Sequence, residues 1–324
     1  ALLDMDVRGH LKLIALLHQT KNKNSYICNH VDLDALWNFF FETGFIYPDK
    51  YAVLQKNKKQ IKETYAKIYT RNPHIARHFI YQDKGTIYGH MAMIRFYEKA
   101  WMIHHHAARK SSANKAGLIV LDQIGNMIND SHHLYSMHMD YVICYYRPDN
   151  KFPSRVFGGA AKSINDPKGC SLDGFACFHV NNRSRSMPDL PESWRISETQ
   201  PEDLEELADF YEHTSGGLML EALDLKPEKM NCTDLSNKYR QLGLSRERHL
   251  YSLKKDGQLK AVLLANLSDI GLNLSDITNC VKVFVTNKAE FSTNILQAAI
   301  SKVADITGKE DFPTLLYPAV FADE

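Results

Sequence analysis

A chain of 324 residues is long for one compact core, and two domains are expected. Its 44% hydrophobic and 24% charged residues are those of an ordinary globular protein. A formal net charge of +1, from 39 basic and 38 acidic residues, excludes a global electrostatic grip on nucleic acid or a membrane surface.

No stretch is apolar for long enough to span a bilayer. Residues 1–9 carry three charges and no apolar h-region, so no secretory signal is expected. The chain opens on Ala1 rather than Met, which points to further sequence upstream. Six cysteines show no CxxC pair, and the spacing of Cys170 and Cys177 is poor for zinc. Reduced thiols in a cytoplasmic protein are expected.

In chain order, Tyr26-Ile27-Cys28 is a short strand. Asp32 caps a helix carrying Leu33, Leu36, Trp37, Phe40 and Phe41 that stops at Gly44. Residues 55–69 place Ile61, Tyr65, Ile68 and Tyr69 at helical spacing among lysines. Three strands follow as a meander, His78–Gln82, Thr86–Tyr97 and Trp101–Ala107. The helix Ala116–Ile128 comes next, with Leu118, Leu121, Ile124, Gly125 and Ile128 on one face. Tyr141–Tyr146 is β-prone, Phe152–Ile164 holds a short helix, and Phe175–Val180 is another strand.

The polar segment 181–193, with Pro188 and Pro191, is the expected linker. This divides the chain into a lead-in, 1–24, a first domain, 25–185, and a second, 186–324. The second half repeats the element order. It has a strand at Trp194–Ser197 and a helix from Pro201, with more helix near 218–223 and 235–242. Strands at 249–253, 259–267 and 277–286, a helix at 291–306 and a strand at 315–321 complete it. Strand, two helices, three-strand meander, helix and strand thus occur twice; two unrelated α+β halves are the competing reading.

The third meander strand ends in His104-His105-His106 and runs into Arg109-Lys110-Ser111-Ser112-Ala113-Asn114-Lys115 before the helix. A loop of free backbone N–H groups at a helix start is an anion site. Arg109, Lys110 and Lys115 add positive charge and the two serines add hydroxyl donors. Strand periodicity places His104 and His106 on one face and His105 on the other. A histidine titrating near neutrality suits a proton acceptor; hydrogen-bonded structural histidines are the competing reading. The many histidines lack an HExxH or comparable spacing, so no metal site is expected.

The element order resembles the GNAT acyltransferase fold in tandem. The first half is also similar to N-acyl amino acid synthases and to GNAT-like regions that follow PilZ domains in some bacterial proteins. The residues that carry this are Gly89–Glu98, Trp101–Ala108 and Phe152–Gly159. The resemblance implies an α+β tandem fold, with mixed central sheets flanked by helices. It implies an N-acyltransferase moving an acyl group from acyl-CoA, or from a phosphopantetheine thioester on an acyl carrier protein, to an amine. No cofactor would be tightly bound. Ala107 to Lys115 would hold the phosphate, with His104, His106 or Glu98 as the base and Tyr145 as the acid for the leaving thiolate.

The family loop carries glycines where Ser112 and Asn114 stand here, a departure more compatible with a single carrier phosphate than with the coenzyme A pyrophosphate. The matching loop of the second half, Asn287–Asn294, lacks the basic-glycine pattern, and Glu290 would repel phosphate. The second half is therefore expected to be degenerate. The basic stretch at 56–77, with Lys56, Lys58, Lys59, Lys62, Lys67, Arg71 and Arg77, is a candidate docking face for an acidic carrier protein; a solvated helix face is the competing reading. The alternative function is a non-catalytic ligand-binding or regulatory module, coupled to an upstream PilZ domain.

Overall fold

Two mixed sheets organise the chain, each covered by helices. The computed structural model describes residues 13, 17, 25–28, 31–69, 71–110, 115–181, 189–274, 276–289, 291–308 and 311–322. Two units result, one of residues 1–145 with 270–275, the other of 146–269 with 276–324. Among the described residues no helix is long and apolar enough to cross a membrane.

The first unit holds a five-stranded sheet of order β1-β2-β3-β4-β5: β1 (Ser25–Cys28), β2 (Ala76–Asp83), β3 (Thr86–Arg95), β4 (Ala100–Ala108) and β5 (Tyr141–Cys144). Neighbours are antiparallel except β4 and β5, which run parallel. Helix α1 (Leu33–Glu42) starts as expected. The Asp32 carboxylate accepts from the Asp34 and Ala35 amides at 2.7 and 2.9 Å, and Gly44 takes φ +70° just past the end. The stretch expected as one helix from 55 to 69 is two, α2 (Tyr51–Lys56) and α3 (Lys58–Ile68), broken at Asn57. The apolar side of α3 buries Ile61, Tyr65 and Ile68.

Helix α4 (Ala116–Ser131) follows β4. Its buried stripe is Ala116, Val120, Ile124 and Met127, while Leu118 and Gly125 are exposed. The expected stripe through Leu118 and Leu121 is therefore rotated; a four-residue period from Ala116 sets the face. Gly89 of β3 explains the close packing. A Cβ there would lie 2.8 Å from the Ala116 carbonyl oxygen, so only glycine lets the first turn of α4 rest on the sheet.

The second unit opens with the short helices α5 (Lys151–Pro153) and α6 (Gly159–Ile164), joined by a π-turn at Ser154–Gly158. Its six-stranded sheet has the order β6-β11-β10-β9-β8-β7. The strands are β6 (Ala176–Asn181), β7 (Trp194–Glu198), β8 (Arg246–Lys255), β9 (Gln258–Ser268), β10 (Cys280–Val285) and β11 (Asp311–Tyr317). Helices α7 (Pro201–Thr214), α8 (Met219–Ala222) and α9 (Asp234–Gln241) lie between β7 and β8, and α10 (Thr293–Thr307) between β10 and β11. One face packs Leu263, Ala265, Val281, Val283 and Val285 against Ala299, Ile300 and Val303 of α10.

This division differs from the boundary expected at 185/186. The strand β6 pairs antiparallel with β11 over Ala176–Asn181, so residues ahead of the polar linker build an edge of the second sheet. The linker then joins β6 to β7, the two opposite edges of one sheet.

Candidate functional site

Strand β4 is nine residues long, and only Ala100–Ile103 have partners on β5, Tyr141–Cys144. Beyond Ile103 no described strand pairs with β4 on that side, so His104 to Ala108 present a backbone edge. On its other side β4 stays paired with β3 as far as Gly89 opposite Ala108. A fork between two parallel strands, leading to the 109–115 loop and the start of α4, is the candidate site.

A bulge sits at this fork. Ala92 pairs with His105 while Met93 pairs with Ile103, which leaves His104 as the extra residue. Alternation fails here, and this corrects the expected facing of the histidines. His104 and His105 lie together, their rings stacked at 4.0 Å, and His106 alone faces α4. A strict period of two cannot anticipate an inserted residue.

The first two histidines enter a buried aromatic layer under α1 and α3. The Tyr69 hydroxyl meets His104 Nδ1 at 2.8 Å. The Tyr65 hydroxyl bridges His78 Nδ1 at 3.1 Å and His90 Nε2 at 2.5 Å. Phe40 and Phe45 pack edge-on to His105, with ring centroids at 5.8 and 5.3 Å. His105 has no hydrogen-bond partner at either nitrogen among the described residues and is 1% exposed. Burial lowers the pKa of His104 to about 3, against a smaller opposing effect of the Leu272 backbone. Burial, then the neighbouring histidines, holds His90 and His105 well below the ordinary range. His106 is lowered by burial, and its Nε2 lies 3.2 Å from the Gly117 carbonyl in the first turn of α4. At neutral pH these imidazoles are uncharged.

The remaining expected residues are dispersed. Glu98 sits at the opposite end of β4, where its carboxylate pairs with buried Arg95 at 3.3 Å and its carbonyl accepts from Arg95 Nε at 3.0 Å. Such a clamp closes the β3–β4 turn, and the length of the strand separates it from the loop. Tyr145 directly follows the last residue of β5, half-buried, at the mouth of the fork. Ala107 is buried, and Ala108 and Arg109 are half-buried. Arg109 is already engaged. It pairs with Glu42, donates from Nε to the Ile87 carbonyl at 2.8 Å, and lies 5.8 Å from the Phe39 ring centroid. Lys110 and Lys115 are exposed, and Lys115 caps α4 without a side-chain hydrogen bond. Ser111, Ser112, Ala113 and Asn114 lie outside the described residues.

On the basic stretch, Lys58 and Lys62 pair with Asp34 at 3.5 and 2.7 Å. Arg77 is 4% exposed and donates to the Pro73 carbonyl, with burial lowering its pKa to about 10, so it cannot belong to a surface. Lys56, Lys59 and Lys67 remain exposed. Among the described residues no group of three or more His, Cys, Asp or Glu is placed to hold a metal. Sequence reasoning missed Tyr65 and Tyr69 as histidine partners. Their spacing in a helix that packs on a histidine-bearing sheet was the available signal.

No family model matches the chain, and no curated protein matches it. Among solved structures it is similar to a GCN5-related N-acetyltransferase from Sphaerobacter thermophilus, at 10% identity over 90% of this chain and 86% of that one, with TM-score 0.45. It is similar to a tandem GNAT protein from the clavulanic acid biosynthesis pathway, at 9% identity over 74% of each chain, with TM-score 0.33. A third is the PaiA N-acetyltransferase from Thermoplasma acidophilum in complex with coenzyme A, at 14% identity over 48% of this chain and 91% of that one, with TM-score 0.31.

Proposed function

We propose that the first unit binds an acyl thioester along the open edge of β4 and transfers its acyl group to an amine, as a cytoplasmic N-acyltransferase of the GNAT type. The observation that carries this reading is the parting of β4 and β5 after Ile103 and Cys144. A pantetheine arm is extended and carries two amides that need partners. A strand edge with no described strand beside it offers alternating N–H and C=O groups to such a chain, as in β-strand addition. At the end of that edge Lys110, Lys115 and the first amides of α4 would take the phosphate of acyl-CoA or of a carrier-bound phosphopantetheine. Either uncharged imidazole could be the base; burial that lowers His104 to about 3 makes it a weak proton acceptor, which leaves His106 as the better candidate. Tyr145, which follows the last residue of β5, would be the phenol that protonates the departing thiolate. Exposed Lys56, Lys59 and Lys67 are the part of the basic stretch free to steer an acidic carrier protein.

A second reading, a regulatory module that binds such a ligand without turnover, is favoured by specific contacts. His104 and His106 both sit in structural hydrogen bonds, and Arg109 is held by Glu42. In that reading a PilZ domain upstream would be the controlled partner.

Thermal denaturation with coenzyme A, acyl-CoA and a phosphopantetheinylated carrier protein tests both. A ligand of the native state raises the melting point. A rise abolished by the double substitution Lys110→Ala and Lys115→Ala supports the fork as the site. No rise with any of the three rejects both readings. A rise without release of free thiol in the presence of amines selects the regulatory one.

A further inference from the structure

The second unit contains an open groove of about 520 Å³ that plays no part in the proposed acyl transfer. Its walls are residues 161–174, the C-terminal end of α7 and residues 317–320 beyond β11. Half-buried Asp173 stands in it. One carboxylate oxygen accepts from Ser215 Oγ at 2.7 Å. The other accepts from Tyr211 Oη at 3.0 Å and Ser171 Oγ at 3.1 Å. Two of these hydroxyls are fixed in turn: Tyr211 Oη accepts the Met219 amide and Ser171 Oγ the Leu218 amide, each at 3.1 Å. The arrangement is preorganised before any ligand arrives.

Hydroxyl groups orient a carboxylate but do not neutralise it. Among the described residues no Lys, Arg or His forms an ion pair with Asp173; Lys168, close in sequence, pairs with Glu212 at 2.6 Å. The neighbouring phenols cannot ionise to change the balance. Burial first, with the Asp173 charge adding to it, pushes Tyr211 up to about 12 and Tyr317 higher still. A second acid, Asp166, lines the groove, and among the described residues its only basic lining residue is Lys162, which is exposed. A carboxylate in a concave, partly dehydrated wall focuses negative potential, and a cationic ligand supplies the missing charge.

We propose that this groove binds a small primary ammonium compound, with the ammonium on Asp173 and the ligand's body over Tyr317. A primary ammonium is favoured over a quaternary one. The carboxylate and the Ser215 hydroxyl oxygen are acceptors; a primary ammonium brings charge together with N–H donors to satisfy them, whereas a quaternary ammonium has none. The inference is independent of the acyl-transfer reading and stands or falls without it.

Isothermal titration of the whole chain with n-butylammonium chloride tests it, against n-butanol and tetramethylammonium chloride. Saturable binding of butylammonium is expected, with none of butanol and at least about tenfold weaker binding of tetramethylammonium. Asp173→Asn should weaken butylammonium about tenfold or more. Lys162→Glu, at an exposed position that leaves the fold alone, should tighten it severalfold. Butylammonium binding that Asp173→Asn leaves unchanged, or no saturable binding to the wild type, overturns the proposal. If Asp173→Asn fails to fold by circular dichroism, Lys162→Glu decides, and an unchanged affinity there overturns it as well.

Discussion

The two parallel strand pairs, β4 with β5 and β10 with β11, occupy the same place in the element order and end differently. In the first, pairing covers four of the nine residues of β4. In the second it covers four of the six residues of β10, Val281–Phe284 against Thr314–Tyr317. The β9–β10 ladder runs without a register shift, whereas β3–β4 is shifted at His104. β10 is valine-rich and buried along its whole length, which suits a closed sheet. β4 carries three histidines at the corresponding stage, and β5 stops four residues short of Pro148, which cannot donate to a ladder. The lesson is that one topology gives an open fork or a sealed seam according to strand length and side-chain chemistry.

The largest test of this contrast is pH. In the first unit His90, His104 and His105 are buried, while the three histidines of the second unit, His179, His213 and His249, are not. The pKa values of the buried set are depressed in the folded state, so the unfolded chain binds more protons below the ordinary value of 6.5. Stability therefore rises with pH and is lost as pH falls below about 6.5, continuing for His104 toward about 3. Each such histidine costs about 1.4 kcal/mol per pH unit over its window. The first unit should melt first on acidification. Trp37 and Trp101 report on it and Trp194 on the second unit, so urea titrations of Trp194→Phe between pH 7 and 5 isolate the first. Equal acid sensitivity of the two units would break the contrast.

A smaller effect is expected at Tyr65. Its hydroxyl serves both His78 and His90, and Tyr65→Phe leaves buried nitrogens without it, at about 1–3 kcal/mol. Chemical denaturation read at Trp101 measures the loss, and the second unit should not respond. Next comes Gly89→Ala, whose methyl meets the Ala116 carbonyl oxygen at 2.8 Å. Pushing α4 off the sheet should cost about 1–3 kcal/mol and weaken any ligand held at the start of that helix. Smallest is Glu42→Ala, which breaks a half-exposed pair with Arg109. About 0.2–1 kcal/mol of stability should go, while the freed guanidinium should strengthen phosphate binding at the fork. Weaker binding instead would show that Arg109 serves the site from its present position.

Much of the architecture was legible because local chemistry agrees with it. Asp32 caps α1, the meander strands fall close to their expected ranges, and α10 starts at Ser292, whose side chain accepts from the Ile295 amide. What escaped was non-local. Nothing in Ala176–Asn181 says that its partner is β11, more than a hundred residues later, because edge pairing depends on which sheet has a free side. The polarity of residues 181–193 suggests a connection, but it carries no information on sheet membership. At the site, the loop position was readable from strand and helix signals. The fate of Arg109 was not, since Glu42 reaches it from a helix far back in the chain.

The extra residue in β4 has a consequence for chain length. Removing His104 would join Ile103 to His105 in an unbroken ladder, with Met93 and Ala92 already opposite them. Neither the Arg95–Glu98 clamp nor the start of α4 would have to move. Losing one residue here would thus leave every other β3–β4 partner in place. An alignment that forbids a gap at this point would assign each neighbouring histidine to the wrong side of the sheet.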